Sequence, residues 1–217
     1  MPEALAAGAC YRCGLHYQAS GASMLVMVLG IVVFLGAHTL TTFRETREDL
    51  IGRFGEAPYK IIHSVVSLIG FALIVWGFSR YRAEGLIPVW TPPGWTRHLT
   101  MTLMWFAFVA LACVNPAPGK IRGWLRHPML VAIKIWALAH LLANGDLGGM
   151  LLFGSFLAWA VFDRVAVKRR GDFGAPRLAS FTRADAIALI VGTAAYVAMI
   201  LLHPVLIGVP VIGAPVG

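Results

Sequence analysis

Six long apolar stretches, separated by nearly all of the chain's charged residues, constrain this sequence more than any other feature. They run Ser23–Leu40, Tyr59–Phe78, Leu99–Val114, Pro128–Ala143, Leu147–Val167 and Ala186–Ile207. A bilayer core of about 30 Å is crossed by about 20 mostly apolar residues in a helix, and these stretches approach that length. A transmembrane barrel would instead show short segments alternating polar and apolar, a pattern missing here. Of the 217 residues, 59% are hydrophobic and only 13% charged, too few polar residues to clothe a water-soluble domain of this length. The expectation is an all-α integral membrane bundle of about six transmembrane helices, with the lipid bilayer as its solvent.

The net charge of +8 raises nucleic acid as a partner, and the placement of the charges argues against it. Arg44, Arg47, Arg53 and Lys60 follow the first stretch. Lys120, Arg122 and Arg126 follow the third, and Arg164, Lys168, Arg169, Arg170, Arg177 and Arg183 cluster around the end of the fifth. The opposite side carries Arg12, Arg80, Arg82 and Arg97. By the positive-inside rule the crowded side faces the cytoplasm. A multi-pass protein of a bacterial inner membrane with both termini periplasmic is expected, its basic loops near anionic headgroups.

Residues 1–23 differ from the rest. Cys10-Tyr11-Arg12-Cys13 precedes a Gly-, Ala- and Ser-rich stretch, and Met24 opens the first apolar run. The chain divides on this reading into a poorly structured extension over 1–23, consistent with a translation start at Met24, and a transmembrane domain over 24–217. One CxxC without a second pair is a weak zinc or redox signal. No apolar core of signal-peptide type follows a basic start.

Ionisable groups at membrane depth cost free energy, so each requires a partner or a function. His38, His63, His140 and His203 fall within the stretches, and His127 opens the fourth in Arg126-His127-Pro128, where proline suits a first helical turn. A single buried histidine is most simply packed between helices. Four together in a bundle with few other buried polar groups point to a metal or cofactor, and neutral imidazole is a common axial ligand of haem iron. On a helical wheel of the fourth stretch, Ile133, Trp136, Ala137, His140 and Asn144 share one face. Ala137 there leaves room beside His140 for a flat macrocycle, Trp136 borders it, and Asn144 can hydrogen-bond nearby. The alternative is close helix packing at a small residue. No nucleotide-binding, serine-hydrolase or zinc-protease motif occurs in a fitting context.

Gly36-Ala37-His38 with Arg44 beyond it, Arg126-His127-Pro128-Met129, the run from Trp136 through His140 to Asn144-Gly145-Asp146, Gly154-Ser155-Phe156 and Asp163-Arg164 together resemble the NnrU family, in order and spacing. That family is associated with nitrite and nitric oxide reductase genes in denitrifying bacteria. The resemblance therefore implies a link to denitrification, with reductase components as partners. The same fold family includes the plastid zeta-carotene isomerase, a haem b protein with two membrane histidines as iron ligands, and the matching positions are His38 and His140. The isomerase has a cysteine three residues before its second histidine, where this chain has Ala137. The resemblance thus implies haem b binding more directly than cis-trans isomerisation of a carotenoid-like polyene.

Depth along the helices suggests a different grouping. At about 1.5 Å rise per residue, His38 sits near the cytoplasmic end of its stretch, whereas His140 lies roughly 20 Å in. Depth alone pairs His38 with His63, and His140 with His203, while the resemblance pairs His38 with His140. Two other functions compete with a haem protein. The Arg-His-Pro triplet also resembles that of isoprenylcysteine methyltransferases, which use S-adenosylmethionine, although Trp159–Arg170 has none of the glutamate expected there. A non-catalytic membrane accessory protein would keep its histidines for packing alone.

Overall fold

The computed structural model describes the backbone of residues 3–114 and 117–212 and the side chains of 21–114 and 117–212. The CxxC at Cys10 and Cys13, and most of the extension expected over 1–23, lie outside the residues whose side chains are described. Among the described residues the chain is helical and no strand forms. The helices are α1 (Glu3–Thr42), α2 (Arg44–Phe54), α3 (Glu56–Glu84), α4 (Thr96–Ala112), α5 (Lys120–Leu125), α6 (Pro128–Ala143), α7 (Leu147–Arg169) and α8 (Arg183–Leu206).

Every apolar stretch of the sequence falls on a helix, and among the described residues four helical segments are long and apolar enough to cross a membrane: Gly21–Thr42, Glu56–Glu84, Leu147–Arg169 and Arg183–Leu206. With 17 residues in α4 and 16 in α6, these two helices extend about 24–26 Å at 1.5 Å per residue, short of a hydrocarbon core of about 30 Å. Their limits come from local chemistry. Pro92, Pro93 and Gly94 precede α4 and cannot extend it backwards. Pro128 opens α6 at its first turn, and Asn144-Gly145 closes it.

The chain forms two compact units. The first comprises residues 1–91 and 145–155, the second 92–144 and 156–217. In the first unit α1 packs along α3, and small residues set how closely. A Cβ at Gly70 would stand 2.7 Å from the Phe34 nitrogen, and one at Gly30 would stand 2.6 Å from the Ile74 nitrogen. Two backbones in direct contact replace interdigitated large side chains, the usual solution where lipid removes any hydrophobic drive for helices to associate. The large apolar side chains point outward instead: Leu25 is 69% exposed and Leu68 67%. The connection after α3 is tied to the start of α7 around Tyr81, which is fully buried. Its hydroxyl accepts from the amides of Ile87 at 2.9 Å and Gly148 at 3.1 Å. Asp146 caps α7 by accepting from the Gly149 amide at 2.7 Å.

In the second unit α4 packs against both α6 and α8. Thr100 Oγ1 donates to the Ala139 carbonyl at 2.9 Å, and Trp105 Nε1 donates to Thr193 Oγ1 at 3.0 Å. Ala137 and Ala139 are fully buried, so α6 approaches its neighbours on alanine. The outer side of α8 is apolar, with Ile190 69% and Leu201 70% exposed. Asp185 anchors the polar end of this unit while itself only 1% exposed. Its carboxylate accepts from the Ile121 amide at 2.7 Å, the Lys120 amide at 2.9 Å and the Thr182 amide at 2.8 Å. One side chain thereby satisfies the first amides of α5 and completes the capping box of α8.

Candidate functional site

The second unit contains a cavity of about 370 Å³. It is bounded by the first turns of α4, the last turn of α6, the last turns of α8 and the segment Val209–Val211 that follows. His140, Asn144 and His203 line it, together with Arg97, Met101, Met104, Phe108, Tyr196 and Met199. The wall is mostly thioether, aromatic and aliphatic, with few polar groups, the composition expected of a site for a largely apolar ligand. Arg97 stands at the edge, where its Nε donates to the Val211 carbonyl at 2.9 Å and its Nη2 donates to the same oxygen.

His140 is positioned by its own helix. Its Nδ1 lies 2.8 Å from the Trp136 carbonyl one turn earlier. A carbonyl only accepts, so the proton sits on Nδ1 and the lone pair on Nε2. This is the tautomer of histidines that ligate metals through Nε2, with the second nitrogen held by a backbone acceptor. His203 is arranged alike, its Nδ1 2.6 Å from the Val209 carbonyl. Asn144 donates from Nδ2 to the His140 carbonyl at 2.8 Å. It thus satisfies an orphan carbonyl at the end of α6 and steadies the turn that carries the histidine.

Trp136 and Ala137 sit elsewhere on α6. Trp136 faces a second hollow of about 210 Å³ with Met104, Phe108 and Ile133, and its indole meets the Phe156 ring edge-on at 5.5 Å. Ala137 lines neither hollow; its small side chain is taken up by helix packing. His127 belongs to a turn away from the cavity. Arg126 holds a positive φ of 63° with ψ of −56°, an unfavourable region for a side-chain-bearing residue. The turn is held by the Ala175 amide donating to the Arg126 carbonyl at 2.9 Å. His127 Nε2 approaches the Asp172 carbonyl at 3.3 Å. The Arg-His-Pro triplet therefore serves to dock the polar segment before α8.

In the first unit His38 and His63 come together, their ring centres 5.4 Å apart and their planes at 59°. His38 Nδ1 lies 2.8 Å from the Phe34 carbonyl, and the Phe34 ring stacks on the imidazole at 4.2 Å. On α3, Tyr59, His63 and Ser67 follow one another at successive turns, and the Tyr59 hydroxyl, His63 Nε2 and Ser67 Oγ are all buried without a hydrogen-bond partner. Sequence reasoning missed Tyr59 and Ser67 although their four-residue spacing around His63 is visible in the sequence. It also missed Arg97 and the methionines of the cavity, which only folding brings beside His140. His38 and His63 are in ring contact in the first unit, and His140 and His203 line one cavity in the second. His38 and His140 belong to different units.

Among the described residues no three His, Cys, Asp or Glu side chains converge on a point where they could hold a metal ion. Haem differs from a bare ion in this respect, because the macrocycle supplies four nitrogens and the protein needs to give only one or two axial ligands. His140 and His203 on an apolar cavity fit that requirement. No curated protein and no solved structure matches the chain. The family described as NnrU protein matches residues 26–211, which takes in both histidine pairs and all helices from the membrane-crossing part of α1 onward. The chain belongs to the NnrU family.

Proposed function

We propose that this protein is a multi-pass inner-membrane protein that binds haem b in the cavity of the second unit, where His140 and His203 would hold the iron. The observation that carries this reading is that two histidines line one largely apolar cavity, each with its Nδ1 engaged by a backbone carbonyl. Methionine and aromatic side chains suit the faces of a macrocycle, and Arg97 at the edge suits its carboxylates. We adopt His203 rather than His38 beside His140 because the first two share a cavity. Bound haem would supply one-electron redox chemistry and an affinity for diatomic ligands such as nitric oxide, in keeping with the family's association with nitrite and nitric oxide reduction.

The protein's own contribution is to exclude water, fix the imidazole orientations and hold the propionates. The basic loops lie at the cytoplasmic face on this reading and both termini in the periplasm, with α4 and α6 completing six crossings by lying among longer helices. Reduced-minus-oxidised spectra of the purified protein test it. A haem b signal is expected in the wild type, altered in position or intensity in His203→Ala. A protein that purifies without haem from haem-replete cells contradicts it.

A further inference from the structure

The histidine pair of the first unit has the wrong spacing for haem and the right spacing for a bare ion. With metal–nitrogen bonds of about 2.0–2.1 Å and the ring centre about 1.1 Å beyond the nitrogen, two imidazoles trans across an iron have centres about 6.3 Å apart, and two at a tetrahedral angle about 5.2 Å. The observed separation of His38 and His63 is 5.4 Å. Between α1 and α3 there is also no slot for a macrocycle, because the backbones touch at Gly30 and Gly70 one to two turns away.

The surroundings favour ligation over packing. The His38 ring is fixed twice by Phe34, through the carbonyl to Nδ1 and through ring stacking, which directs its chemistry to Nε2. His63 Nε2 and the Tyr59 hydroxyl are buried with no hydrogen-bond partner, and leaving such groups unsatisfied costs more than an ordinary hydrogen bond is worth. Tyr59 is 9% exposed, its ring 6.2 Å from that of His63 one turn along α3. Ser67 adds a third unsatisfied oxygen on the next turn. The Arg47 guanidinium lies 5.8 Å over the Tyr59 ring. α2, which carries it, balances Arg44, Arg47 and Arg53 with Glu45, Glu48 and Asp49, so its formal charge does not oppose a cation.

We propose that the first unit binds one four-coordinate divalent transition-metal ion of the zinc class, held by Nε2 of His38, Nε2 of His63 and the phenolic oxygen of Tyr59, with a water as the fourth ligand. Tyr59 releases its proton to solvent on binding, as an oxygen ligand of this kind must. Imidazole with an oxygen donor and no thiolate suits Zn2+ and its Co2+ analogue in this geometry. The site is independent of the haem reading, uses neither His140 nor His203, and assigns His38 to the ion.

The test is a Co2+ titration of the full-length, chelator-treated protein in detergent, read as the visible d–d bands of four-coordinate Co2+ in spectra taken with minus without the ion, while haem is quantified separately in the same samples. One Co2+ per chain, displaced by one equivalent of Zn2+, is expected. His63→Ala should weaken binding more than about a hundredfold, and Tyr59→Phe, which keeps the packing, about tenfold. His98→Ala, a histidine outside both sites, should titrate like the wild type. Absence of four-coordinate bands in the wild type, or identical titrations for the wild type and Tyr59→Phe, overturns the proposal. So does loss of the bands in His98→Ala. Haem content bears only on the other cavity, so the two readings fail separately.

Discussion

The Nδ1–H of His140 donates to the carbonyl of Trp136 at 2.8 Å, so the helix fixes both the tautomer of the imidazole and the direction of its other nitrogen. His38 does the same with Phe34 one turn earlier in α1. The two histidines that the family resemblance singles out thus share a local device that needs nothing beyond an α-helix and the four-residue spacing. What differs is the neighbourhood, an apolar cavity shared with His203 for His140 and direct ring contact with His63 for His38.

The glycine contact between α1 and α3 makes a graded prediction. Gly70→Leu forces a side chain into the backbone of Phe34 and should destabilise the protein by about 1–3 kcal/mol or more, seen as a lower denaturation midpoint in detergent. Gly36→Ala meets no atom within 4 Å, and should be neutral or stabilise by up to about 1 kcal/mol through helix propensity. Equal effects of the two would argue against a close α1–α3 approach.

Asp185 ties two helices through one carboxylate. Asp185→Ala should cost about 2–4 kcal/mol, since it removes charge-assisted hydrogen bonds and strands buried amides. Faster hydrogen exchange at Lys120 and Ile121 is the specific sign of this loss. If exchange quickens only in α8 and not at these two amides, Asp185 does not cap α5.

Two glycines of similar backbone conformation separate steric from conformational cost. Gly171 and Gly174 have φ of +72° and +71°, but a Cβ at Gly174 would lie 2.3 Å from the Arg126 carbonyl oxygen whereas Gly171 faces open space. Gly171→Ala should cost about 1 kcal/mol for its positive φ alone. Gly174→Ala should cost several times that and release the Arg126-His127-Pro128 turn, measured as increased proteolysis between α5 and α8.

Hydrophobic runs made the helices legible, and their ends were less so. α6 begins at Pro128 and ends at Ala143, as its flanking Pro and Asn-Gly require. By contrast α3 continues from Phe78 through Ser79-Arg80-Tyr81-Arg82-Ala83 to Glu84, because polar helix formers extend a helix that hydropathy alone would end. The polar α2 and the six-residue α5 carry no apolar run, so hydropathy alone gives no sign of them. Hydropathy does not separate the short apolar helices α4 and α6, of 17 and 16 residues, from the four longer ones. Of the candidate site, the histidines themselves were visible. The sharing of one cavity by His140 and His203 is visible in the sequence only as an equality of depth, because the methionines that line it with them come from α4 and α8 and have no local signature. Asn144 lines the cavity beside His140, and its side-chain amide bonds the backbone of its own helix end.

The most direct measurement is haem b per chain in wild-type protein and in His140→Ala, expressed and purified alike, with thermal unfolding confirming that both are folded. About one haem per chain is predicted for the wild type, as for a dedicated site with an axial histidine, and less than about a tenth of that for the variant. Equal haem in the two proteins, or haem lost in His38→Ala but retained in His140→Ala, contradicts the assignment of the cavity in the second unit.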